Sequence, residues 1–307
     1  MVDAEARKKW LGGYGLVVLA VIMWSFSEIL QKLLQDSVPP MSKSFFRFFI
    51  GIIPLFIIMI AQRDLRLREL WHHSWKDLII AGVFGFGIGN FVYFLGIVQT
   101  QANLGSVIYG TYPLFISIYS IFMVGERSNL KRRFIGYAIG FFAIALLMTN
   151  GDFSGFLAAE NFVGNLLVLA GAAIWSIFSV LGKKITKQHR ATISNIDLKF
   201  NFITMALAGA TNFVLLVFMP AERSVFLQYS ATAWIYLILL GVFVTGISTW
   251  LFFVGIAHLE VSKGISFAMF KPVFVIIFSF MILREIPTLI LLVSLPLIII
   301  AVWIITK

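Results

Sequence analysis

The sequence predicts an all-α integral membrane protein of ten transmembrane helices, arranged as two inverted five-helix repeats. Three observations carry this. Sixty per cent of the residues are hydrophobic and only 12% charged, with a mean hydropathy of +0.96, more apolar surface than one water-soluble core can hide. The chain also echoes itself. Gly82-Val83-Phe84 returns as Gly241-Val242-Phe243, Phe94 with Gly96-Ile97 as Phe253 with Gly255-Ile256, and Gly105 as Gly264. Pro113-Leu114-Phe115 returns as Pro272-Val273-Phe274, and Glu126 as Glu285, every pair 159 residues apart (272 less 113). Gly13, Trp24-Ser25 and Lys32 echo as Gly164, Trp175-Ser176 and Lys183 at a spacing of 151 (175 less 24), so the second half gained eight residues (159 less 151) between the blocks. Each copy is a set of helices that cannot bury itself alone. The third observation is the placement of charge, which follows from the spans.

Apolar runs of about 20 residues, the length that crosses a hydrocarbon core of ~30 Å, fall in the first half at 13–34, 41–61, 78–98, 104–124 and 134–149. The first follows Arg7-Lys8-Lys9 and imitates a signal peptide. Its length and its own echo make it a permanent helix instead. A polar, glycine-containing link from Asn150 to Asn161 divides the repeats, giving units 1–150 and 151–307. The second half then runs 162–182, 196–218, 234–257, 265–283 and 287–305. Only Arg284-Glu285-Ile286 parts the last two, and Pro287 suits the first turn of a new helix.

With the N-terminus cytoplasmic, eighteen Lys and Arg lie on the inner side and four, Lys32, Lys43, Arg223 and Arg284, on the outer. That asymmetry puts both termini inside. Five helices per copy is odd, so the second copy enters the membrane from the opposite side. This is the layout of secondary transporters, with a substrate site near the midplane where the halves meet. The net charge of +10 sits between apolar runs, so it is topology rather than a nucleic-acid surface. Cysteine is absent, which excludes disulfides and thiolate metal sites. Gly85-x-Gly87-x-Gly89 lacks the strand-then-helix setting of a nucleotide fingerprint, and no Lys-Ser or Lys-Thr phosphate loop occurs, so ATP is not the expected energy source. No metal-ligand spacing or nucleophile–base pair appears, and the four histidines offer little, so neither enzyme, cofactor nor metal is expected.

A first helix with Trp24 and Lys32, then Pro39-Pro40 before Arg47 in a phenylalanine-rich second helix, resembles the EamA-type branch of the drug/metabolite transporter superfamily. So does a helix with a central proline ending in glutamate, present at 113–126 and again at 272–285. The resemblance covers nearly the whole chain. It implies a ten-helix cell-membrane carrier that moves small metabolites, often outward, between pseudo-symmetric halves. Glu28 is not part of the pattern, and many relatives are acidic or neutral at the position of Lys271.

Three charges lie inside apolar runs, where they are costly and mark function by default. Glu28 and Arg47 each fall roughly 6 Å to the outer side of their helix centres. One reading is a structural cluster of Glu28 with Lys32 or Arg47; the other is a protonatable or cation-binding Glu28 facing a cavity. Lys271 lies roughly 9 Å of rise into its helix, with Tyr112 as its echo. Either a carboxylate neutralises it, or it binds an anion or takes part in proton coupling. The three sum to one excess positive charge, which a substrate carboxylate or phosphate balances. Pro113 and Pro272 free the carbonyls of Tyr109 and Ala268 at mid-membrane depth, giving kinks that pack or two hinges that rock. Asn90 is glue between helices or a cavity contact. Trp24 and Trp175 are symmetry mates near the midplane that either pack between helices or line a cavity, and Tyr109, Tyr112 and Phe270 would add aromatic wall. Gly85 with Gly89, and Gly136 with Gly140, predict close helix packing. Glu126 and Glu285 read as helix caps or local ion pairs rather than gates, and His258 as an interfacial bystander.

The expectation is therefore an exporter of amino acids or related carboxylate-bearing metabolites, working by alternating access in the lipid bilayer. Proton coupling through Glu28 is an option. The alternatives are a proton-coupled exporter of cationic drugs or amines held by Glu28, and a non-transporting scaffold or sensor.

Overall fold

The computed structural model describes residues 2–123, 125, 129–151, 161–257 and 270–306, and among them every regular element is helical. The first repeat holds α1 (Val2–Leu33), α2 (Pro40–Ala61), α3 (Leu67–Ile97), α4 (Ala102–Met123) and α5 (Leu130–Met148). The second holds α6 (Phe162–His189), α7 (Ile196–Val217), α8 (Ala231–Gly255), α9 (Lys271–Leu283) and α10 (Leu289–Thr306), with a helical turn at Pro220–Ser224 before α8. Seven of these, α1 to α4 and α6 to α8, are long and apolar enough to cross a membrane, and α9 and α10 are shorter apolar helices. One face of the bundle carries the α2–α3 and α6–α7 connections with their Lys and Arg; it is called the basic face below, and its opposite the far face.

Each repeat packs on the other. α1 lies on α8 and α9, and α6 on α3 and α4, while α2 pairs with α7 and α5 with α10. The echoed glycines explain the first two pairs. A Cβ on Gly96 would stand 2.6 Å from the Val168 amide nitrogen and 2.7 Å from the Gly164 carbonyl oxygen; one on its mate Gly255 would stand 3.0 Å from the Gly13 carbonyl oxygen. In a bilayer apolar helices gain nothing by hiding from lipid, so such close backbone approach drives their association. Gly85 and Gly89 meet the backbone of Phe178 and Trp175 on α6 in the same way, and Gly136 meets Ala301 on α10, as their spacing predicts. Gly140 packs instead on the Leu114 side chain of α4. Gly96→Leu should lower stability by about 3 kcal/mol through overpacking against backbone that cannot yield. Gly12→Leu, where a Cβ meets nothing within 4 Å, should be neutral; melting in detergent compares the two.

Three helices depart from the continuous α-helical spans that hydropathy suggests, and α9 also ends in π-helix over Ser279–Leu283. α4 stops at Tyr109 and restarts at Tyr112, so Gly110 and Thr111 form a break where a proline kink was expected. The physical reason is that Pro113 takes an early position in a new helix, where its missing amide costs nothing. α3 and α8 are wound as π-helix over Ile80–Ile88 and Val242–Ile247, equivalent stretches of the two repeats (247 less 88 is 159). Such widened turns concentrate at functional sites.

Carboxylates tie the repeats together at both faces. On the basic face Asp64, after α2, accepts from Ser194 Oγ (2.6 Å), Asn195 Nδ2 (3.1 Å) and Lys199 Nζ (2.9 Å) at the start of α7, and Asp77 pairs with Lys184 at 2.7 Å. On the far face Glu222, after α7, accepts from the amides of Met41 (3.1 Å) and Ser42 (2.9 Å) at the start of α2. Glu285 accepts from the amides of Ala102 and Asn103, each at 2.9 Å. Glu285 is thus a helix cap, but for α4 of the other repeat rather than the helix that follows it, because inversion brings the end of α9 beside the start of α4. Glu126, His258 and Ala268 lie outside the described residues.

Burial pushes the Asp64 carboxyl up, but hydrogen bonds from Ser194, Lys199 and Asn195 with the Lys199 charge outweigh it, holding it well below the usual carboxylate range. A folded pKa below the unfolded one adds stability that is complete above the unfolded value, about 3.9, and disappears as pH falls through the folded value. Melting of Asp64→Asn should therefore trail the parent at neutral pH and converge with it in acid.

Candidate functional site

Where the repeats meet at mid-height, the echoed positions close around one cavity. Trp24 of α1 and Trp175 of α6 face each other across it, and Tyr112 of α4 and Lys271 of α9 form a second mated pair. Asn90 and Thr249 form a third (249 less 90 is 159). Arg47, Ser27, Phe86 and Tyr109 complete the lining. Trp175 packs edge-on to Tyr112 at 5.0 Å, and Trp24 against Phe252 at 4.7 Å.

The charges are distributed differently from either sequence-based pairing. Glu28 Oε1 accepts from Lys271 Nζ and from the Tyr93 hydroxyl, both at 2.6 Å, and Glu28 is fully buried. Neither Lys32 nor Arg47 is its partner. Lys32 is turned toward Gln35 Oε1 and the Val98 carbonyl, both at 3.4 Å. The i,i+4 spacing placed Lys32 within reach, but α9 packs on α1 and delivers an ammonium at shorter range. Arg47 is buried, donates to Thr245 Oγ1 at 2.7 Å and Ser27 Oγ at 3.5 Å, and stands over the Phe94 ring at 5.4 Å. Lys271 likewise faces the Tyr109 ring at 5.1 Å. These rings offer negative faces to the two cations.

A mated pair of serines holds the backbone just before the two prolines. Ser176 Oγ is 3.0 Å from the Tyr112 carbonyl oxygen and 2.7 Å from that of Ala172. Ser25 Oγ is 3.4 Å from the Lys271 carbonyl and 2.7 Å from that of Val21. Each hydroxyl has one proton to share between two carbonyls. The carbonyls engaged are those immediately before Pro113 and Pro272. Asn90 lines the cavity, and its Nδ2 donates to the Phe86 carbonyl of its own helix at 2.9 Å. That carbonyl also accepts a backbone N–H where the π-helical stretch ends, so the side chain takes its second lone pair.

Sequence reasoning missed Tyr93, Ser27, Thr245 and Thr249. Only Thr249 had a signal, its position equivalent to Asn90. Phe270, expected in the aromatic wall, is exposed at 49%. The cavity measures about 40 Å³, room for a few waters, so a metabolite enters only if the walls part. A second cavity, largely apolar, shares Trp24, Tyr112, Trp175 and Thr249 and runs past Phe178 to Lys183, toward the basic face.

Two interlocked, inverted repeats around a charged cavity at their join define a membrane transporter. Comparison with known proteins names the kind. The model of the EamA-like transporter family matches residues 11–149 and again 162–307, and the chain belongs to that family. It is 26% identical over 279 residues to the uncharacterised transporter YoaV of Bacillus subtilis, covering 88% of each chain. It is 28% identical over 308 residues to an uncharacterised transporter of Methanothermobacter thermautotrophicus, covering 92% of this chain and 82% of that one. A shorter match, 24% over 183 residues and 59% of this chain, is to a Rickettsia conorii protein named S-adenosylmethionine uptake transporter, of which it covers 58%. A solved crystal structure shares the fold at a TM-score of 0.65 and 22% identity, over 97% of this chain and 96% of its own.

Proposed function

We propose that this protein exports amino acids or closely related carboxylate-bearing metabolites by alternating access, the units 1–150 and 151–307 rocking about the central cavity. The observation that carries the reading is Arg47. It is buried in the cavity wall with two hydroxyls for partners, while the nearest buried carboxylate, Glu28, is committed to Lys271. A buried cation without a counter-charge is costly, and a substrate carboxylate supplies one. The break before Pro113 serves as a hinge, and the aromatic walls suit a flat or cationic side group. The relative named for S-adenosylmethionine fits this chemistry, since that molecule is an amino acid with a cationic sulfur and an aromatic base. Positive charge on the basic face supports a cell-membrane protein with that face and both termini cytoplasmic.

One observation favours the rival reading, a proton-coupled exporter of cationic amines held by Glu28: its Oε2 is buried without a hydrogen-bond partner among the described residues. Counterflow in proteoliposomes loaded with a labelled amino-acid mixture separates the two. Competition by carboxylates, surviving Glu28→Gln, is the expected result. Competition only by amines lacking a carboxylate, abolished by Glu28→Gln, would establish the rival, and no counterflow of either class would remove both.

A further inference from the structure

We infer that Lys43, with the amide end of α2, forms a second anion station between the central cavity and the far face, where the carboxylate of the carried molecule rests on its way past Arg47. The inference builds on the carboxylate reading above and adds a site outside the cavity.

Register comes first. Positions 43 and 47 are one turn apart, about 6 Å along the same side of α2, and both face α1. Arg47 reaches Ser27, Lys43 reaches the Gln31 carbonyl oxygen at 3.4 Å, and Gln31 Nε2 donates to Ser27 Oγ at 3.1 Å. The two cations are successive rungs of one polar file between α1 and α2. Every member is buried: Gln31 and Lys43 are at 0% exposure, Ser27 at 2% and Arg47 at 7%.

Next, Lys43 is under-satisfied. An ammonium has three protons to donate, and the one hydrogen bond found for it among the described residues is the long contact to Gln31; no carboxylate pairs with it. Gln31 Oε1 beside it is buried with no hydrogen-bond partner among the described residues. The other repeat shows what a purely structural lysine at this position looks like. Lys199 also stands four residues after the residue that precedes its helix (199 less 195, against 43 less 39), is also fully buried, and pairs with Asp64 at 2.9 Å. Lys43 has no such ion pair.

Last, a carboxylate already occupies the seat. Glu222 accepts from the amides of Met41 and Ser42 and from Ser42 Oγ (3.1 Å), the residues immediately before Lys43. Buried first-turn amides without an intrahelical acceptor and the positive end of a 22-residue helix make that place anion-binding by construction. Glu222 belongs to the opposite repeat, so parting the repeats at the far face withdraws it. The vacated amides and Lys43 then meet the substrate's carboxylate, for which Glu222 is the protein's own stand-in.

The chain lacks cysteine, so one introduced thiol reports alone. Full-length Gln31→Cys in membrane vesicles would be labelled with two methanethiosulfonates of similar size, the anionic sulfonatoethyl and the cationic trimethylammonioethyl reagent. The anionic reagent should react faster by at least about tenfold, as one nearby buried cation dictates. Lys43→Met should reduce the preference, the remainder belonging to Arg47 and Lys32, and Lys43→Arg retain it, while Glu222→Gln should raise both rates by freeing the far face. A preference unchanged by Lys43→Met overturns the inference, and so does a thiol inert to both reagents even with Glu222→Gln present. The labelling needs no substrate, so a failure of the carboxylate reading shows separately, as absent carboxylate counterflow with the labelling preference intact.

Discussion

Lys271→Met should cost about 3–5 kcal/mol of stability, the range for removing one partner of a buried pair. Glu28 is at 0% exposure and Lys271 at 8%, so neither charge is relieved by water. With the ammonium gone, Glu28 keeps only the Tyr93 hydroxyl and must either hold a bare charge in the bilayer interior or take up a proton. Glu28→Gln combined with Lys271→Met removes both charges at similar volume and should recover most of the loss. Melting in detergent, with the four proteins compared in one buffer, gives the coupling directly. If the double variant is no better than the single one, pairing is not what holds α9 to α1.

Arg47→Met should instead leave folding nearly intact and cut transport. Its partners are hydroxyls, and Thr245 Oγ1 already donates to the Leu240 carbonyl at 2.8 Å, so truncation strands no charge. On the carboxylate reading the substrate loses a desolvated counter-ion, worth about 2–5 kcal/mol, and the half-saturating concentration for counterflow should rise by about 10²-fold or more. Lysine is not expected to restore it, because the planar fork that engages Thr245 and Ser27 is specific to arginine. Wild-type affinity in Arg47→Met at normal melting temperature would take Arg47 out of the site.

The residues that line the cavity were largely legible because the bilayer makes polar groups rare. Arg47, Lys271 and Asn90 stood out against apolar runs, and Trp24, Trp175 and Tyr112 were flagged by duplication. Their partnerships were not legible. Glu28 has a lysine one turn away in sequence, and nothing in the chain says that Lys271, 243 residues later, comes closer. Tyr93 is one more aromatic residue in an aromatic helix until α3 turns it toward α1. The break at Gly110 and Thr111 was hidden because a broken helix and a kinked one have the same hydropathy.

The sequence by itself determined the number of spans, the duplication and its inversion, because a hydrocarbon slab sets helix length and an odd count per copy reverses direction. Tertiary structure alone decided which charge meets which, and which carboxylate caps which helix end. Those contacts join opposite repeats, and no periodicity along one strand of chain encodes the rotation of a helix that packs against it from the other half.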